Sequence, residues 1–165
     1  MQREKRLSAS WHYLVFFLSS LLILVADQLT KAWIRTSLPE GCSLFKLGLF
    51  QITHVHNTGA AFGLFQGQSF MLTVFASITI VVILALFLTG YHYIPWLNST
   101  SIMVLLGLIL GGTAGNLIDR LRYGYVTDFI DFGYWPAFNI ADSAVTVGVI
   151  LLAILLLRHA QAGKR

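Results

Sequence analysis

Three aspartates, Asp128, Asp131 and Asp142, fall within residues 126–142 of a chain that has only seven acidic residues in all. Residues 143–157, which follow at once, are apolar and carry no charge before Arg158. Asp142 therefore stands at the mouth of a membrane helix, and Asp128 on the segment that leads back to it. Ionisable groups at the edge of a bilayer are costly to keep, which marks them as functional candidates. Two carboxylates held close together cannot both ionise cheaply, so they share a proton. The ionised member can draw a proton from water while the protonated one polarises a peptide carbonyl, which amounts to amide hydrolysis by general acid–base catalysis without a metal. On this reading Asp128 and Asp142 form an aspartyl protease dyad.

The elements that must position such a pair are legible locally. If residues 126–131 are extended, Asp128 and Ile130 share one face and Asp131 points to the other. The fourteen positions from Asp128 to Asp142 are ample chain to fold back. Asn139 suits the N-cap of the following helix, with Asp142 as its third residue. Taken alone, Asn139 and Asp142 need be no more than a capping pair worth about 1 kcal/mol, and Asp128 no more than a solvated loop acid. A helix N-terminus also favours an ionised carboxylate, so cap and general base are compatible roles.

Composition sets the setting. The 165 residues are 56% hydrophobic and 11% charged, against about 25% charged in soluble domains. An integral membrane protein follows, read as a single domain over residues 1–165. Four stretches, residues 11–29, 70–90, 101–121 and 140–157, approach the roughly 20 apolar residues a crossing needs. The first resembles a signal peptide but lacks a small-x-small cleavage site and is read as an uncleaved span. An even number of crossings puts both termini on one side. The clusters Arg3, Lys5, Arg6 and Arg158, Lys164, Arg165 place that side in the cytoplasm. Every acid except Glu4 then lies at the outer face. Those basic residues flank spans rather than forming a stripe, so no nucleic-acid partner is expected. Membrane lipids are the partner their positions fit.

The long connection 32–69 alternates partly over residues 44–56 and predicts a small antiparallel sheet between the first two spans, resting on the outer surface. Gly107, Gly111 and Gly115 share one face of the third span, which invites close helix packing. They also suggest a path for an approaching substrate helix. Asn116, Asp119 and Arg120 follow that row directly. Asp27 and Lys31, four apart on the first span, fit a surface ion pair. Asn57, two before Gly59, fits either a turn or a binding role. His54 and His56 share a strand face, but no third ligand of suitable spacing follows, so neither a metal nor a cofactor is expected. The lone Cys42 can form no internal disulfide, and no nucleophile elbow or Ser-Lys arrangement is present. Two other classes fit parts of the pattern. A proton-coupled transporter would place an acid near mid-span, where none occurs, and an assembly subunit would use the acids only as caps and the glycines only as contacts.

Five blocks, in order, decide among these. They are Asp27-Gln28-x-x-Lys31, Asn57-Thr58-Gly59-Ala60-Ala61-Phe62-Gly63, Gly111-Gly112-x-x-Gly115-Asn116-x-x-Asp119-Arg120, Val126-x-Asp128-Phe129 and Phe138-Asn139-x-Ala141-Asp142. Together they resemble the bacterial lipoprotein signal peptidases (signal peptidase II) over nearly the whole chain. The resemblance implies a membrane aspartyl endopeptidase with Asp128 and Asp142 as the catalytic pair. It also implies that Asn57, Asn116, Arg120 and Asn139 line or support the substrate site and that Asp27 is a supporting acid. It implies residence in the bacterial inner membrane, with the site at the periplasmic face, and the chain is expected to work as a monomer. The implied substrates are prolipoproteins, cut just before a diacylglyceryl-modified cysteine, and the implied inhibitors are globomycin-type cyclic peptides. The stretch between the two acids is a few residues shorter than in the family, a departure that falls on the flap-like loop 133–137 rather than on the acids.

Overall fold

The computed structural model describes residues 2–59, 65–90 and 99–162, with side chains from residue 11 onward. Among the described residues, four helices are long and apolar enough to cross a membrane. They are α1 (Gln2–Ser37), α2 (Ser69–Ala85, prolonged by a π-helical turn, Leu86–Gly90), α3 (Thr100–Tyr123) and α4 (Ile140–Ala162). The connection 91–98, expected as an interfacial turn, and residues 60–64 lie outside the described residues.

The third helix, α3, is the axis of the bundle. At 24 residues it is roughly 36 Å long. It buries Ile102, Met103, Leu105, Leu106, Ile109 and Leu110 together with its glycines, whereas α2 buries only Ile83. At the end of the bundle away from the aspartates, Phe16 of α1 stacks on Phe87 with ring centroids 4.0 Å apart.

The glycine face of α3 is filled by α1, which corrects the expectation that it gives a substrate helix room. A Cβ at Gly107 would run into Ser19 and the Phe16 carbonyl, and one at Gly111 into the Ser20 carbonyl. At Gly115 it would strike the carboxylate of Asp27. Gly112, one residue round, faces α4 instead, where a Cβ would lie 2.5 Å from the Ala141 carbonyl oxygen. Without these side chains the three backbones approach closely enough for polar groups on α1, α3 and α4 to meet.

The sheet has three antiparallel strands in the order β1 (Ser43–Leu47), β2 (Phe50–Asn57), β3 (Val126–Asp131). Its first two strands match the expected hairpin within residues 44–56. The third was expected as an extended piece but not as part of this sheet. Gly124, at φ 80, ends α3 in the left-handed conformation, and its N–H bonds the Arg120 carbonyl at 3.0 Å. Glycine takes that conformation without a Cβ penalty, so the chain turns at once from α3 into β3. There Asp128 pairs with Val55 and Val126 with Asn57.

The helix α1 runs eight residues past the expected end of its span. Lys31 and Arg35 do not face solvent. They point inward to Asp119 on α3, and Lys31 also to Asp27 on its own helix, so the helical run need not stop at its first charged residues.

Candidate active site

Asp142 lies in the first turn of α4. Its backbone N–H donates to Asn139 Oδ1 at 2.8 Å, and Asn139 N–H donates back to Asp142 Oδ2 at 3.2 Å. This reciprocal cap satisfies two donors that a helix start would otherwise leave free. The capping pair expected from the spacing is present.

Asn139 also reaches the other aspartate. Its Nδ2 donates to Asp128 Oδ1 at 2.7 Å. The fold-back depends on Phe138, which pairs with Ile130 through bonds of 2.8 and 3.0 Å. That pairing brings the residue after Phe138 alongside β3. One asparagine thus ties Asp128 to Asp142.

Each carboxylate is held at both oxygens. Asp128 Oδ2 accepts from Asn57 Nδ2 at 2.8 Å, and Asp142 Oδ1 accepts from Asn116 Nδ2 at 2.7 Å. Asn57 is itself fixed, because its Oδ1 accepts the Gly59 N–H at 2.8 Å. That bond is the expected turn, and the same side chain still reaches Asp128. Asn116 is oriented by Lys31, whose Nζ donates to Asn116 Oδ1 at 2.8 Å. Arg120 donates to the Gly59 carbonyl at 3.1 Å, and its buried Nε has no partner among the described residues.

Asp128 is 1% exposed. Burial, and next the charge of Asp142, push its carboxyl up to about 7, against the opposing pull of the Asn57 and Asn139 amides. Lying outside the helices, it is a carboxyl that keeps a proton near neutrality. Asp131 sits on the same strand but bonds Gln51 and the Gly133 N–H instead, in keeping with the predicted opposite facing.

Asp27 supports the site from below, and here the structure corrects the sequence reading. The pair Asp27–Lys31 is not at the surface. Both side chains are fully buried, 2.8 Å apart. Asp27 Oδ1 also accepts the Ala141 N–H at 3.0 Å, so an acid on α1 caps the start of α4. A third group went unrecognised among the site residues. Asp119 is wholly buried, accepts the Thr127 N–H at 3.0 Å, and lies 3.5 Å from Lys31 and 3.4 Å from Arg35. Thr127 Oγ1 in turn accepts from Arg35 at 3.0 Å. The spacing Asn116-x-x-Asp119 marked the residue without showing that it anchors β3 one position before Asp128.

The site opens into a cleft of about 680 Å³ whose wall includes Asn57, Asn116, Arg120, Trp135 and Asp142. Asp142 meets the cleft directly, and Asp128 lies one layer deeper.

A family model described as "Signal peptidase (SPase) II" matches residues 19–158. The chain belongs to the signal peptidase II family. Its members are membrane aspartyl peptidases, and this multi-pass chain is one of them. The chain is 49% identical over 142 residues to a lipoprotein signal peptidase of Dehalococcoides mccartyi, covering 86% of this chain and 88% of that one. It is 46% identical over 154 residues to that of Syntrophomonas wolfei subsp. wolfei, covering 91% and 97%. A solved structure described as a bacterial membrane enzyme, determined in meso at 2.3 Å resolution, superposes with a TM-score of 0.79 at 34% identity and covers 88% of each chain. The four-helix bundle with its antiparallel sheet thus shares its fold with that membrane enzyme over most of its length.

Proposed function

We propose that this signal peptidase removes the signal peptides of prolipoproteins, cutting just before the diacylglyceryl-modified cysteine, with Asp128 and Asp142 as its dyad. The observation that carries the reading is the single asparagine, Asn139, bonded to both aspartates. Two acids so joined, with four oxygens each held by a fixed donor, form one preorganised unit rather than two separate caps.

Asp142 faces the cleft and takes a proton from water as the oxygen attacks the scissile carbonyl. Asp128, protonated up to about pH 7, gives its proton to the carbonyl oxygen. The tetrahedral intermediate then collapses. Asp142 passes its proton to the departing amine as the C–N bond breaks, and the hydroxyl proton returns to Asp128. Every proton is conserved, and no metal enters the step. Asn57, Asn116 and Asn139 hold the acids, Asp27 fixes the start of α4, and Arg120 presents donors to the substrate backbone.

The apolar spans and the apolar side of the cleft, formed by Ala76, Phe138, Val145 and Val147, suit a substrate that arrives as a lipid-anchored helix. The basic clusters at both ends favour cytoplasmic termini in the bacterial inner membrane, with the cleft at the periplasmic face. A single 1–165 domain working as a monomer is the arrangement proposed. Cyclic peptides of the globomycin type would compete for the cleft. Purified enzyme given a lipidated precursor peptide tests the reading. Release of the signal peptide supports it, and cleavage of an unlipidated precursor at the same rate counts against the lipid requirement.

A further inference from the structure

A polar chain that hydrolysis does not use joins the end of α1 to β2. His54 and His56 project from the face of β2 opposite to Asn57. His54 is 5% exposed, and its Nδ1 lies 2.7 Å from the Leu38 carbonyl oxygen. His56 is half-buried, and its Nδ1 lies 3.0 Å from the Glu40 carboxylate. A carbonyl and an ionised carboxylate only accept, so both Nδ1 atoms carry a hydrogen. The two Nε2 atoms are left turned towards each other, 3.2 Å apart. Neutral rings in these tautomers aim two lone pairs at one region, and a cation there relieves the repulsion.

The separation fits a metal ion. Bonds of about 2.0–2.1 Å to a tetrahedral Zn²⁺ place two ligand nitrogens roughly 3.3 Å apart. The outer contacts fit as well, since metal-bound imidazoles give their other N–H to a carboxylate or a backbone carbonyl. Here one ring has each. His56 is further fixed by stacking on Tyr125, with centroids 3.7 Å apart. The loop that supplies Leu38 and Glu40 is itself pinned to β2, with Gly41 N–H to the His54 carbonyl at 2.8 Å and His54 N–H to the Cys42 carbonyl at 3.1 Å.

We propose that His54 and His56 form a binding site for a divalent cation of the Zn²⁺ class, with Leu38 and Glu40 as outer acceptors. Among the described residues no group of three or more His, Cys, Asp or Glu gathers around a point, so water completes the coordination. The ion staples the α1–β1 loop to β2 and takes no part in cleavage.

The test uses the full-length, untagged enzyme in detergent, washed with EDTA and titrated with Zn²⁺ by calorimetry. One equivalent should bind and raise the thermal unfolding midpoint. His54→Asn and His56→Asn each keep a side-chain amide near the position of Nδ1 but lack Nε2, so each should weaken binding about 10-fold or more, and Glu40→Gln about 10-fold. Cys42→Ser should bind as the parent does. If the parent binds no Zn²⁺, or if both His variants bind it unchanged, the site is refuted and a shared proton alone joins the rings. Should His54→Asn fail to fold, the half-buried His56→Asn decides.

Discussion

Asn139 Nδ2 lies 2.7 Å from Asp128 Oδ1, across eleven residues of chain, while the same side chain caps the backbone of Asp142. Replacing it should therefore damage both carboxylates at once. Asn139→Ala is expected to lower kcat on the order of 10²-fold and to cost about 1 kcal/mol of stability through the lost cap. Turnover of a lipidated peptide, read beside thermal unfolding, checks both. Unchanged kcat with lowered stability would reduce Asn139 to a cap.

The pH profile carries the signature of Asp128. Its carboxyl is pushed up to about 7, so it holds its proton below that pH and loses it above. The rate should fall on the alkaline side with a midpoint near 7. Asn57 donates to this carboxylate and so favours its ionised form. Asn57→Ala should move the alkaline limb to higher pH. A limb that stays in place would separate Asn57 from the titration.

The network beneath the dyad predicts a different kind of loss. Asp119 is buried against Lys31 and Arg35. Asp119→Asn leaves those cations short of a countercharge, at a cost of about 3–5 kcal/mol for a broken buried pair. Faster inactivation on warming is the expected outcome, with KM changed less than thermal stability. Equal stability of variant and parent would contradict the buried placement.

The contrast between these groups explains what was legible in the sequence. The four spans, the hairpin, and Asn139 as cap of Asp142 depend on residues within one helix or one turn, where hydropathy and spacing act directly. Asp27–Lys31 was misjudged because i,i+4 spacing is the same at the surface and in the interior. Burial is decided by Gly115, 84 positions beyond Lys31, whose missing side chain admits the Asp27 carboxylate. The joining of β3 to β2 depends likewise on backbone pairing across some 70 residues, which no local pattern records. The glycine row showed that something packs closely on α3 without showing that it is α1.

Asp131 is a control within the same strand. It bonds Gln51 rather than either dyad member, so Asp131→Asn should keep turnover within a few-fold of the parent. A loss as large as that of Asp128→Asn would mean the strand faces the other way.

Chelation separates the catalytic centre from the histidine pair. The proposed hydrolysis runs on carboxylates alone, so prolonged EDTA treatment should leave kcat unchanged while lowering thermal stability through His54 and His56. Activity lost in EDTA and restored by Zn²⁺ would overturn the metal-free mechanism.

The most direct measurement is turnover of a lipidated precursor peptide by Asp128→Asn and Asp142→Asn, each shown by thermal unfolding to be folded. Both variants should lose activity by about 10³-fold or more. Turnover by either one at close to the parent rate would contradict the dyad.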